Sequence, residues 1–541
     1  VTPPVNPPVS ELKPTGTLPV LYINVYTDAT HSTLQPEIID KNLAHKNYFS
    51  DAEYWLDVNG CQWLMDLGAK GYSKKPFKLK LGSKQNLLNM NANGAKSKHW
   101  AILAHADDSF GYMRNFVGFR LGEMIGLPWT PRQQPIEVVI NGDYRGIYFL
   151  TESIRVGDGR LPITELGDNV SDPALISGGY LVELDNYYDD CTFALPDASN
   201  SNKTGHYGDL MVTADTPEIY SDLQLRFVKE QFTKMNDLVN SSDDSELWKY
   251  LDLDDAARYY VVEEIISHYE AYHGSTYLMR DHGADKKWHF SPLWDCGHAF
   301  DGPTNQFFLL LNEPGTTYGN NWIGNNAGTG LRSKTKFMDK VKATFQWFVN
   351  KEVDGSASPY ERLQTEIDEY VDHIKAAAMQ DAKRWKGAPK PTNESDVRDV
   401  VDNSDIDNDK TAVKGRLNAK ITWLKSQWGD QKLDEPKRDT TPAAELPEYA
   451  QAGYVPKTYN VYVIDDADTK WGEVSLYLYI KGGNKYSEWP GETLVFDKNV
   501  TVNGVQGAYT FTVPEEYGNG LVIFSKGGDG QYPGSNEDGL P

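Results

Sequence analysis

Residues 268–297 read HYEAYHGSTYLMRDHGADKKWHFSPLWDCG. They hold two short apolar runs, STYLMRD and KWHFSPL, joined by the polar turn DHGADKK, the pattern of two paired strands. Just upstream, Ala257, Tyr260, Val261, Ile265, Tyr269 and Tyr272 fall on one face at helical spacing, so a helix is expected over 254–272. The local order is helix, polar loop over 268–275, strand, turn, strand, and then Asp295-Cys296-Gly297.

On the N-terminal side, alternating apolar residues predict strands over 18–26, 77–81, 136–140, 146–151 and 180–184, with a further helix over 114–125. Asn141-Gly142 lies between two of those strands and is a strong hairpin signal. On the C-terminal side, 334–428 is mostly helical, and strands early with helices late make an α+β body. Residues 431–456 carry prolines and charges and read as a linker, and 457–541 is strand-rich with no helical stripe. The expected organisation is a tether over 1–17, a body over 18–430, the linker, and a small β-domain over 457–541.

Protein kinases use the order found at 254–297: a helix, a catalytic loop, two short strands, then a metal-binding Asp followed two residues later by Gly. Phosphoryl transfer is mainly positioning and charge neutralisation, so one carboxylate must orient the acceptor hydroxyl and another must hold Mg²⁺ against the triphosphate. Glu270 and Ser275 occupy the proton-acceptor and metal-ligand slots of the loop, His268 starts it, and Asp295 is the candidate metal ligand. The same residues, read alone, fit a surface loop and a structural Asp.

A wider resemblance covers about 18–428. The pieces GAKGYSKKPFKLKL (68–81), WAILAHADDSFGYMRNFVGFRLGEMIG (100–126), VVINGDYRGIYFLTE (138–152), GGYLVELD (178–185), HGSTYLMRD (273–281), PLWDCGHAFDG (292–302) and RLNAKITWLKSQW (416–428) resemble, in order, the CotH family of atypical secreted kinase-fold proteins, in the form common in gut-dwelling Bacteroidetes. The resemblance implies an atypical protein-kinase-like body with a mixed sheet and C-terminal helices, using Mg²⁺ and ATP. Lys75 and Lys78 become candidates for nucleotide phosphates, or remain alternate lysines of an exposed strand. Glu152 is a candidate partner for such a lysine or for metal, or a plain strand-end carboxylate. Glu183 and Asp185, two apart, face one side of a strand as joint metal or lysine partners, or as a hydrogen-bonded edge pair. Arg114 and Asn115 open a helix where they are expected to fix a neighbouring loop.

Two departures stand out. Active members of the family carry Asn-x-Asp where this chain has His268-Tyr269-Glu270, and a second acid where it has Gly297. The extra methylene of Glu moves the carboxylate by roughly an ångström, a displacement that can cost about 10²-fold in rate.

Composition bounds the partners. Asp and Glu number 77 against 53 Lys and Arg, a net charge of −24 that repels phosphate backbones and anionic bilayers. No run approaches the roughly 20 apolar residues of a membrane span. Three distant cysteines, Cys61, Cys191 and Cys296, exclude a disulfide scaffold and a structural zinc site, though one bridge stays open. The opening VTPPVNPPVSELKPTG (1–16) reads as a polyproline-like tether of the kind left when a signal peptide or lipidated Cys is removed, so export to the cell surface or periplasm is expected. The acidic run DNSDIDND (402–409) fails the EF-hand pattern at Lys410 and Arg416 and reads as a solvated loop.

In the tail, Tyr477 and Tyr479 project to the same side of one strand, and Pro490-Gly491 in SEWPGET forces a turn that exposes Trp489. A flat aromatic face stacks on sugar rings, whereas a core-facing Tyr pair with a structural Trp has the same spacing. The order of YNVYVI, EVSLYLYI, SEWPGET, GAYTFTVP and VIFSKGGDGQYPG resembles the starch-binding modules of carbohydrate-binding module family 26, small antiparallel β-sandwiches. That resemblance implies binding of α-1,4-glucan through Tyr477, Tyr479 and Trp489, with Gln531. Two readings therefore stand: a surface kinase tethered to α-glucan, with Glu270 orienting the acceptor and Asp295 holding Mg²⁺, and a non-catalytic kinase-fold protein that binds glycan. A glycoside hydrolase would need paired carboxylates in a cleft, for which no resemblance speaks.

Overall fold

The strands of the body follow from residues that alternate between a buried and an open face at period two. The computed structural model describes residues 11–25, 45–50, 62–65, 74, 76–140, 143–185, 192–195, 210–268, 270–272, 274–307, 322–323, 330–350, 357–387, 399–455, 458–463, 472–479, 485–514, 517, 520–526, 530–534 and 539–540. The chain divides into two units. Val1–Gly167, Gly178–Ile219 and Lys229–Glu445 form the first; Asp168–Ser177, Tyr220–Val228 and Leu446–Pro541 form the second.

In the first unit, β1 (Val20–Val25), β2 (His45–Ser50), β3 (Gln62–Met65), β4 (Phe77–Gln85), β5 (Ser97–Leu103), β6 (Gln133–Ile140) and β7 (Asp143–Glu152) make one sheet in the order β2-β1-β6-β7-β5-β4-β3. The sheet is mixed, because β1 runs parallel to β6 while the other pairs are antiparallel. Ile140 pairs with Asp143, as a two-residue hairpin requires; Asn141 and Gly142 themselves lie outside the described residues. Phe77, Leu79 and Leu81 of β4 meet Trp100 and Ile102 of β5, Ile136 and Val138 of β6, and Tyr148 and Leu150 of β7 in one core. Each such side chain contributes about 1.5–3 kcal/mol by leaving water.

A second sheet, all antiparallel, runs β12-β11-β8-β10-β9, from β8 (Tyr180–Asp185), β9 (Phe193–Leu195), β10 (Leu210–Thr216), β11 (Thr276–Arg280) and β12 (His289–Phe290). The helices are α1 (Arg114–Ile125), α2 (Asp222–Asn240), α3 (Leu253–Ile266), α4 (Thr335–Asn350), α5 (Pro359–Trp385) and α6 (Ile406–Trp428). The class is the expected α+β, although α1, α2 and α3 are interleaved with the strands and only α4, α5 and α6 follow those of the first unit. α5 starts at a capping box, in which the Ser358 side chain accepts from the Glu361 N–H and Glu361 reaches back, with Pro359 at the first helical position.

Three readings of the sequence change. The helix expected over 254–272 ends at Ile266, because Ser267 adopts a left-handed conformation (φ 51°) and closes it without a glycine. Every residue of α3 is buried, so its apolar face is one side of a helix enclosed all round. The acidic run 402–409 is not a loop throughout: α6 begins at Ile406, and Asp407 and Asp409 lie in its first turn, where negative charge suits the helix dipole. α2 was not anticipated at all, although Ser221 and Gln224 form the reciprocal cap of a Ser-x-x-Gln box.

The segment read as a linker is held along the first unit through residue 444. Arg258 pairs with Glu435 at 2.7 Å, Asp439 N–H donates to Asp254 Oδ2 at 2.7 Å, and Ala444 N–H donates to Lys249 O at 2.9 Å. Thr15 N–H likewise donates to both Glu137 oxygens, at 3.0 and 2.9 Å.

The second unit contains β13 (Thr458–Val463), β14 (Ser475–Tyr479), β15 (Glu492–Thr493), β16 (Val495–Val502), β17 (Val505–Pro514), β18 (Leu521–Ser525) and β19 (Gln531–Tyr532). They form two antiparallel sheets, β13-β17-β16 and β15-β14-β18-β19. Leu476 and Leu478 of one sheet share a core with Tyr509 and Val513 of the other.

Candidate functional site

The loops on either side of the β11–β12 hairpin carry the two carboxylates singled out in the sequence. After Ser267 turns the chain, His268 folds back on α3, its N–H on Glu263 O at 3.2 Å and its Nδ1 2.8 Å from Glu263 Oε2. Burial opposes a charge on His268, yet Glu263, with Glu270 and Asp295 beyond it, outweighs burial and raises its pKa. His268 Nε2 is buried without a hydrogen-bond partner.

Glu270 is half-buried, and its Oε1 lies 3.3 Å from His298 Nε2. His298 Nδ1 lies 3.0 Å from Asp301 Oδ2, and Arg114 Nη2 donates to Asp301 Oδ1 at 2.8 Å. Arg114 Nη1 donates to Gly297 O at 2.6 Å. Burial raises Asp301, but the hydrogen bonds from His298 and Arg114 overcome it and bring the carboxyl to about 2. Asn115 Oδ1 accepts from the Cys296 N–H at 3.0 Å. Arg114 and Asn115 thus fix the backbone of the Asp295 turn, as expected of them.

α1 approaches this turn closely: a Cβ on Gly118 would lie 2.5 Å from Cys296 Sγ. Cys296 is a free, buried thiol whose pKa burial pushes well up; Cys61 and Cys191 lie outside the described residues. Asp295 itself sits at φ 51°. Of the eleven non-glycine residues with positive φ among those described, five (Ser267, Tyr272, Ser275, Asp295 and Phe300) fall in these two loops. Strain of this kind persists only where the surroundings over-determine it, and it concentrates at functional sites.

More acids face the same space. On β8, Glu183 and Asp185 share the face of Leu181, and Glu183 pairs in register with Tyr277 of β11 and Thr213 of β10. Burial, then the charges of Asp185, Asp215 and Asp295, raise Glu183 to about 7, against a hydrogen bond with Tyr277. Burial also raises Asp215 to about 6, with Glu218 adding and with Arg155 and Lys78 opposing. Glu270 is raised by burial and by Asp295 and Asp185, against the two histidines. Asp295 is exposed, yet the protein packed around it and the charge of Asp107 raise its pKa against His268 and His298. Glu183, Asp185, Asp215, Glu270 and Asp295 therefore form one electrostatic group, with half-buried Ser275 on the same loop as Glu270.

The remaining candidates sit differently. Lys78 is exposed and acts on Asp215, while Lys75 lies outside the described residues. Glu152 is closed in by arginines rather than a lysine: it accepts from the Arg132 N–H at 3.1 Å and Arg132 Nη1 at 3.2 Å, with Arg160 Nε at 3.7 Å. The lysine that is engaged at depth is Lys74, fully buried 3.0 Å from Asp381 and over the rings of Tyr112 and Tyr148. Sequence reasoning also passed over His298 and Asp301; the spacing Asp295, His298, Asp301, one helical turn apart, was the available signal. Among the described residues, the three His, Cys, Asp or Glu side chains with ligand atoms within 4.8 Å of one another are Asp252, Asp255 and His289, a group that does not include Asp295.

In the second unit, Leu476 and Leu478 take the core side of β14, so Tyr477 and Tyr479 stand half-exposed on the other. Their rings lie 5.5 Å apart, and Trp489, 44% exposed, meets Tyr477 edge-on at 5.7 Å. The Ser525 hydroxyl donates to Pro490 O at 3.0 Å and ties down the turn that carries Trp489. Gln531 pairs with Ser525, which pairs with Ser475, and that row lies on the same face as Tyr477 and Tyr479.

A family model described as CotH kinase protein matches residues 67–405, more than half of the chain, and takes in both strained loops and the acids around them. No curated protein matches the chain. No helix among the described residues is long and apolar enough to cross a membrane.

Proposed function

The chain belongs to the CotH kinase protein family, and from that premise we propose that its first unit is a nucleotide- and Mg²⁺-dependent phosphotransferase. The observation that carries this reading is the convergence of Glu183, Asp185, Asp215, Glu270 and Asp295 on the two strained loops. Burial raises Glu183 to about 7, with the charges of Asp185, Asp215 and Asp295 adding to it, and burial with Asp295 raises Glu270 as well. An all-oxygen donor set with surplus negative charge suits Mg²⁺ bound with phosphate, and such a charge would relieve the repulsion. Asp295 and Ser275, with Glu183 and Asp185, are the residues to hold the ion. When bound it neutralises phosphate oxygens.

The other roles belong to the chain's own groups. Glu270 orients the acceptor hydroxyl and receives its proton. His298, kept in place by Asp301 and Arg114, fixes the Glu270 carboxylate. Lys78, and Lys75 three residues before it in sequence, contact the phosphates of ATP.

A second reading, a kinase fold kept for binding alone, is favoured by Gly297. It stands where active members carry an acid, and its carbonyl is spent on Arg114. In both readings the second unit is a β-sandwich that binds α-glucan through Tyr477, Tyr479, Trp489 and Gln531, and the protein is exported to the cell surface or periplasm. The decisive assay follows label from γ-³²P-ATP into the protein or into added glycans. Transfer lost in Asp295→Ala and in Glu270→Gln supports the enzyme; nucleotide binding without any transfer supports the second reading.

A further inference from the structure

We propose that Asp252, Asp255 and His289 form a binding site for one divalent transition ion of the zinc class, separate from the acids around Asp295. The three side chains come from two elements whose backbones are bonded directly to each other. Asp252 caps the start of α3, and His289 opens β12. Asp252 N–H donates to Trp288 O at 2.8 Å and Trp288 N–H donates to Tyr250 O at 2.8 Å, which fixes the cap beside the strand. One donor atom from each residue lies within 4.8 Å of the others, so small side-chain movements suffice to place all three around one ion.

The state of the donors argues for a ligand. Asp255 is 2% exposed, and its Oδ1 is buried with no hydrogen bond. Its Oδ2 lies 2.8 Å from His289 Nδ1. Asp252 gives Oδ1 to the Asp255 N–H at 2.9 Å, which leaves Oδ2. A buried carboxylate oxygen without a donor is costly, and a cation beside it removes that cost.

The neighbours allow it. Asp254 points elsewhere, to Lys340 and the Asp439 N–H. Arg438 Nη1 stands 3.8 Å from Asp255 Oδ1, beyond a hydrogen bond, on a side chain 59% exposed that can give way. The positive end of α3 works against a cation, and two carboxylates balance the ion's two charges. One imidazole with two carboxylates suits zinc-class ions over Mg²⁺, which prefers oxygen alone. Binding needs the Nδ1 lone pair, so the proton held between Nδ1 and Asp255 moves to Nε2 or to solvent.

The test uses the full chain carrying Asp295→Ala, so that a failure of the phosphotransferase reading does not touch it. Equilibrium dialysis against Zn²⁺ is expected to leave about one ion per chain, with affinity at least about tenfold weaker once His289→Ala or Asp252→Asn is added. Co²⁺ is expected to give visible d–d bands in the Asp295→Ala chain, and saturating Zn²⁺ to raise its Tm. Absence of both the retained ion and the Co²⁺ bands overturns the proposal whether or not the His289 variant folds. Zn²⁺ binding unchanged by His289→Ala overturns it too.

Discussion

Glu183 shows how a single side chain reports the state of the site. Folded, it keeps its proton up to about 7, because burial and the acids beside it penalise the charge, against an ordinary value of 4.5. Between those values the folded chain holds more protons than the unfolded one, so this group's stabilisation is complete below about 4.5 and is lost as pH rises through 7. Glu183→Gln removes the penalty. Urea unfolding should find the variant more stable than wild type at pH 8, on the order of 1–3 kcal/mol, with little difference at pH 4.5. An equal difference at both pH values would contradict the assignment. Lys74 is the opposite case, a buried charge matched by one partner. Tyr112 and the Ile147 N–H also bond Asp381, so Asp381→Ala strands a buried ammonium. The expected cost is about 3–5 kcal/mol, read from the denaturation midpoint. Nothing in SKKPFKLK distinguishes Lys74 from Lys75 or Lys78, since depth is set by Asp381, some three hundred residues away in sequence.

At the scale of elements, α1 and the Asp295 turn depend on each other through Gly118. Gly118→Ala forces a Cβ against Cys296 Sγ and should cost about 1–3 kcal/mol while weakening whatever Asp295 binds. Gly415 in α6 has nothing within 4 Å of an added Cβ, so Gly415→Ala should stabilise by up to about 1 kcal/mol. Thermal unfolding of the two variants in parallel checks both signs. Elements whose residues alternate or repeat strictly were legible: α1 has its expected bounds, and β6 and β7 pair across Asn-Gly. The end of α3 was not legible, because a serine does there what glycine usually does, and Tyr272 continued the apolar period by accident. The Glu270–His298–Asp301–Arg114 chain was out of reach for another reason: its links join a loop, a turn and a helix start that only tertiary structure brings together.

At the scale of the whole molecule, the ordered motifs read over about 18–428 pointed to the family whose model matches 67–405. Glu270 and Gly297, which depart from the pattern that the resemblance implies for active members, are why activity could not be read off the same motifs. The two units make separable predictions. Trp489→Ala should weaken binding to soluble starch by about tenfold or more, a loss of roughly 1.4 kcal/mol, with Asp295→Ala unaffected; affinity electrophoresis would register either pattern, and retained binding in Trp489→Ala would remove the aromatic face from the account. The central claim concerns the first unit and is met most directly by calorimetric titration of Mg-ATP into the full chain and into Asp295→Ala. The account predicts saturable one-site binding in the first and its loss in the second. Binding absent from both, or equally strong in both, would contradict it.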